Sequence, residues 1–138
     1  TLSTGLSERH FEQDGWQQPF AYLPNEIATQ WTESIKKLEK VEITPFQKRY
    51  GQWMINMVSK IHEADIDIMA GTDCPIFFLT PGLSLHQELN MLVKSGLTSL
   101  EALKTATLNP ARYFNMEDEL GSIHYRGNIM VVTKYNDC

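Results

Sequence analysis

A single acid, Asp73, ends the short apolar run Met69-Ala70-Gly71-Thr72 and stands just before a loop and a helix. A carboxylate at the carboxyl end of a buried strand is where barrel enzymes hold a metal ligand or a general base. The same residue reads equally well as a turn former, because Asp is common where strands end. A catalytic zinc would need about three protein ligands, His and carboxylate above all, with one position left open for water. The chain has 4 histidines, His10, His62, His86 and His124, and none stands in a His-x-His or His-Glu-x-x-His arrangement. Each taken alone fits a surface or packing residue better than a ligand. His86 departs furthest from that reading, since its helix starts soon after the loop leaving Asp73 and can aim it at the same cleft.

Other chemistries find less support. No Gly-x-Ser-x-Gly elbow or phosphate-binding glycine loop is present, and Gly71 is isolated. Cys74 follows Asp73 directly but has no neighbouring base or cation to generate a thiolate. The run Glu117-Asp118-Glu119 reads as a solvated turn.

These residues need elements to hold them. Ile27, Trp31, Ile35 and Leu38 place one apolar stripe on a helix between Asn25 and Lys40. Thr44-Pro45-Phe46-Gln47 combines an N-cap, a first-turn proline and a capping box. It predicts a long helix to about residue 64, packing through Phe46, Tyr50, Trp53, Met54, Met57, Val58 and Ile61. Ile66 to Ala70 then predicts a brief strand, so that helix, turn and strand make half of a βα repeat. Cys74 to Gly82 is an irregular, proline-bracketed loop. Ser84-Leu85-His86-Gln87 predicts a second capping box, for a helix buried through Leu85, Leu89, Leu92 and Val93 and stopped by Gly96. Thr98-Ser99-Leu100-Glu101 predicts a third, for a helix packing through Leu100, Leu103 and Ala106. Asn109 is expected to cap a short helix through Phe114. Gly121-Ser122-Ile123 and Ile129 to Thr133 predict strand pieces around a turn at Arg126-Gly127-Asn128.

Composition sets outer limits. The 138 residues are 42% hydrophobic and carry a formal charge of -5, from 12 Lys+Arg against 17 Asp+Glu. That balance, without a basic cluster, argues against nucleic acid or an anionic membrane as a partner. No apolar run reaches the roughly 20 residues of a membrane span, and the start at Thr1 lacks signal-peptide features. A soluble, cytoplasmic protein is expected, with Cys74 and Cys138 as free thiols. A chain opening on Thr is expected to have been processed, cut or engineered.

The order of several short motifs resembles a known family. Ala70-Gly71-Thr72-Asp73, Pro81-Gly82-Leu83-Ser84-Leu85-His86-Gln87-Glu88-Leu89, Gly96-Leu97-Thr98, Glu101-Ala102-Leu103, Ala106-Thr107-Leu108-Asn109-Pro110-Ala111 and Leu120-Gly121-Ser122-Ile123 together are similar to the end of a metal-dependent amidohydrolase. The branch they resemble is the imidazolonepropionase-like and Xaa-Pro dipeptidase-like one. The resemblance implies an α/β fold: the carboxyl-terminal part of a (β/α)8 TIM-type barrel, helix-rich with a few short strands. It implies the last βα units over residues 1–120 and terminal strands of a small β-sandwich domain over 121–138. Asp73 would bind the metal, most often zinc, and shuttle the proton of the attacking water, while His86 would lie near the substrate mouth. The implied reaction is hydrolysis of a non-standard or cyclic C–N bond, in an amide or dipeptide. The family's other metal ligands are expected before residue 1, so the isolated chain is expected to be inactive. The family's closing Gly-Lys-x-Ala-Asp segment is replaced here by Arg126-Gly127-Asn128-Ile129-Met130. Expected partners are a small-molecule substrate and either a second copy or the remainder of the barrel. The alternative is a non-catalytic structural or oligomerisation remnant of such an enzyme.

Overall fold

The computed structural model describes residue 20, residues 22–75 and residues 78–123. Among them run five helices: α1 (Asn25–Leu38), α2 (Pro45–Glu63), α3 (Leu83–Lys94), α4 (Ser99–Thr105) and α5 (Leu108–Tyr113). α2 packs on α3, α3 on α4, and α4 on α5.

Two of the expected capping boxes form. The Thr44 side chain accepts from the Gln47 N–H at 3.2 Å, and the Thr44 N–H donates to Gln47 Oε1 at 2.8 Å. At α4, Glu101 N–H donates to Thr98 Oγ1 at 3.3 Å and Thr98 N–H donates to Glu101 Oε2 at 2.7 Å. Each box satisfies two of the backbone donors that a helix start leaves open. α3 ends as expected: Ser95 follows its last residue, and Gly96 adopts φ +105°, the left-handed conformation that closes a helix.

The third box does not form. Gly82, at φ +81°, is the cap of α3 and makes no side-chain bond there; Ser84 falls inside the helix. Ser84 Oγ and Gln87 Oε1 are buried without a hydrogen-bond partner. The proline-glycine turn lets the helix begin at Leu83, ahead of the serine that the pattern favoured.

The α/β expectation is overturned. Among the described residues there is no strand, and their fold is all-helical rather than a TIM-type barrel. Residues 66–73 form neither helix nor strand, and along them Ile68, Ala70 and Thr72 are half-buried while Asp67, Met69, Gly71 and Asp73 are exposed. This is strand alternation without a strand partner. The segment's backbone bonds go to a helical corner instead: Ala70 N–H donates to Thr105 O at 3.0 Å, and Asn109 Nδ2 donates to Ile68 O at 2.9 Å. Gly121 and Ser122 form a bend and Ile123 follows without strand structure, while 126–128 and 129–133 lie outside the described residues.

Two apolar clusters hold these elements. In one, Met91, Leu92, Leu97 and Ala102 are buried, with Met54, Ile55, Val58, Ile68, Ala70 and Leu89 packed around them. In the other, Phe20, Ile35 and Leu79 are buried against Leu23, Ala28, Trp31 and Phe78. Trp31 meets Phe20 edge-on at 5.5 Å and Phe78 edge-on at 5.7 Å, the geometry favoured by aromatic quadrupoles.

The expected helix faces are partly rotated. On α1, Ile35 is buried as expected. On α2, Phe46, Tyr50, Trp53 and Met57 are exposed and the packed face is Gly51, Met54, Ile55 and Val58. On α3, Leu85 and Val93 are exposed, and Ser84, Glu88, Met91 and Leu92 are buried. On α4, Leu100 and Leu103 are exposed while Ala102 and Thr105 are buried. Small residues let the short α4 approach its neighbours closely, and the bulky leucines then point outward.

Candidate functional site

Asp73 stands, exposed, at the end of the 66–73 segment. Its backbone is left-handed, at φ +55°, a conformation that Asp tolerates better than most residues. Thr72 beside it points partly inward, and its Oγ1 accepts from the Cys74 N–H at 3.4 Å. Cys74 is a free, exposed thiol, and the Cys74–Pro75 peptide is cis. Ahead of Asp73, Ile68 and Ala70 are seated in the α2–α3–α4 cluster. Beyond it, Phe78 and Leu79 are seated in the cluster under α1. The acid therefore lies on a strap whose two ends are anchored in different cores. Its carboxylate faces solvent between these two anchored stretches.

His86 is exposed, one turn into α3. His62 lies late in α2, where its Nε2 is 3.7 Å from Glu101 Oε2 on α4. Both side chains are more than a third exposed, so the contact is a weak tie between helices. His10 and His124 lie outside the described residues.

The metal expectation is corrected as well. Among the described residues no three His, Cys, Asp or Glu side chains gather where an ion could be held, so Asp73, Cys74 and His86 do not form such a group. The described residues thus do not fit a zinc centre, whose ligands must converge to about 2 Å from one point.

Two features escape the sequence reading. Asn109 does not cap α5, whose N-cap is Thr107; its carboxamide reaches instead to Ile68 O, in a residue 41 positions earlier. Thr80, Ser84 and Glu88 form a buried polar row entering α3, with Ser84 N–H donating to Thr80 O at 3.0 Å. The four-residue spacing of that row is visible in the sequence, but its burial is not, because a polar row at helical spacing reads as a solvated face.

The order of motifs along the chain has an external counterpart. The model of the amidohydrolase family matches residues 5–132. The chain belongs to the amidohydrolase family. No curated protein and no solved structure matches it. Among the described residues no helix is long and apolar enough to cross a membrane.

Proposed function

We infer that this chain serves a hydrolase of C–N bonds and that Asp73 is its proton-handling carboxylate. The chief support is the coincidence of the family match over residues 5–132 with an exposed, doubly anchored acid at Asp73. Asp73 would accept a proton from the water that attacks the carbonyl carbon. It would then deliver that proton to the departing nitrogen, so that one O–H bond and the C–N bond break while C–O and N–H bonds form. The substrate proposed is a small molecule with a non-standard or cyclic amide or a dipeptide bond, as in the imidazolonepropionase-like and Xaa-Pro dipeptidase-like branch. His86 is proposed to line its entrance. Family membership implies a divalent metal, zinc above all. Among the described residues no group of three ligands gathers to hold it, and Asp73 acts in this scheme as a proton carrier alone. An exposed thiol at Cys74 suits a reducing compartment, and the cytoplasm is proposed as the location.

The test is hydrolysis of a panel of Xaa-Pro dipeptides, N-acyl amino acids and five-membered cyclic amides by the full-length product of this reading frame. One class should be cleaved, and Asp73→Asn should lower kcat by about 100-fold or more with helix content unchanged. Cleavage at the wild-type rate by the Asn variant would remove Asp73 from the mechanism. No cleavage of any class by the wild type would favour the non-catalytic remnant instead.

A further inference from the structure

Asp73 owes its place to the segment that carries it, and that segment has no strand beside it among the described residues. An extended chain with a two-residue period is sensitive to register. A slip of one residue would turn Met69 and Gly71 inward, withdraw Ile68 and Ala70 from the core, and carry the acid along. Apolar contact alone is a weak guard here, since Ala70 offers little side chain to seat.

What fixes the register is directional. Ala70 N–H is bound to Thr105 O at 3.0 Å, at the end of α4, and Ile68 O is bound by Asn109 Nδ2 at 2.9 Å, at the start of α5. These bonds address one donor and one acceptor two residues apart on the segment, and both come from the corner between two helices. The corner itself is tied down: Thr105 is buried and its Oγ1 donates to Ala102 O at 2.6 Å, while Ala111, on α5 beyond Asn109, is buried. Asn109 is half-buried, so its bond is shielded from competing water, and its side chain spends none of its capacity on capping α5.

We propose that Asn109 is a positioning residue for Asp73: a carboxamide latch that locks the 66–73 segment in the register that leaves the acid at the surface. The catalytic part of this statement rests on the function proposed above; the latch does not.

Asn109→Asp is the sharpest probe, because it keeps size and shape while replacing the donor with an oxygen that faces another oxygen. Hydrogen exchange at the Ala70 amide should quicken about tenfold or more, the change expected for losing one partly buried bond, with the amides of Met91 and Leu92 in α3 unaltered. Asn109→Gln, which keeps the carboxamide, should recover part of the protection. Should the Asp variant not fold, Asn109→Ala removes the donor without adding charge and is read in the same way. In the hydrolysis assay the variant should lose kcat with KM within about twofold, as expected for a misplaced proton acceptor. Unchanged protection at Ala70 would overturn the latch, and so would an equal loss throughout α3 and α5. If Asp73→Asn left hydrolysis intact, the catalytic reading would fail while exchange at Ala70 still decided the latch.

Discussion

Gly121 has φ +85°, and a Cβ added there would lie 2.8 Å from both Ala111 Cβ and Thr107 O and 2.9 Å from Leu108 Cα. Two of those three atoms are backbone and cannot swing aside. Gly121→Ala should therefore destabilise the fold by about 1–3 kcal/mol, read as a lower urea midpoint at an unchanged slope. A midpoint within error of wild type would mean that the turn after α5 packs less closely than described. Glu101 offers a prediction in pH. Hydrogen bonds from the Thr98 side chain and backbone, aided by the charges of His62 and Lys104, hold its carboxyl below the ordinary value of 4.5. A depressed folded-state pKa gives stability that is present above the unfolded value and is lost as pH falls through the folded one. Glu101→Gln keeps the capping geometry and removes the titration, so its melting temperature should fall less than that of wild type between about pH 5 and pH 3. Parallel curves for the two proteins over that range would show that the box carries no proton linkage.

At the level of the helix, the starts of α2 and α4 and the end of α3 were legible, the starts of α3 and α5 were not, and only part of each face was. Thr44, Thr98 and Gly96 act on neighbours within four residues, so their roles follow from local chemistry that no later packing can alter. A face depends on which of two apolar sides a neighbour chooses, and α2 offers both. Its larger side residues, Phe46, Tyr50 and Trp53, stack on one another at 6.2 and 5.8 Å along the exposed surface. Its other side, Met54, Ile55 and Val58, packs against Met91 and Leu92 of α3, and Ser59 Oγ donates to Ser95 O where the two helices meet. The consequence is testable on two leucines that the sequence treats alike. Leu92, 2% exposed, should cost about 2–5 kcal/mol when cut to Ala. Leu103, 53% exposed, should cost no more than about 0.5 kcal/mol by chemical denaturation. Equal losses would restore the face that the spacing alone favours.

Across the whole molecule, the sequence located the acid but not what holds it. Asp73 is conspicuous because it ends an apolar run, a signal contained in five consecutive residues. The support from Asn109 spans 41 positions and leaves no periodic trace, so a residue that looks like a cap locally turns out to reach across the fold. The α/β reading went wrong at the same place and for a related reason. The alternation of Ile68, Ala70 and Thr72 is real, but alternation tells which side is inward, not whether the bonds go to a strand or to helices. Family membership survives this correction, because it rests on the family model's match over residues 5–132 and not on the architecture inferred from the motifs. The strap that carries Asp73 has its leading end in the cluster of Met91 and Leu92 and its trailing end in the cluster of Phe20, Ile35 and Leu79. Two cores joined this way are two potential cooperative units, each able to open sub-globally at its own free energy. Asp73 stands in sequence between the residues that enter the two clusters, so opening of either unit would free one of its anchors.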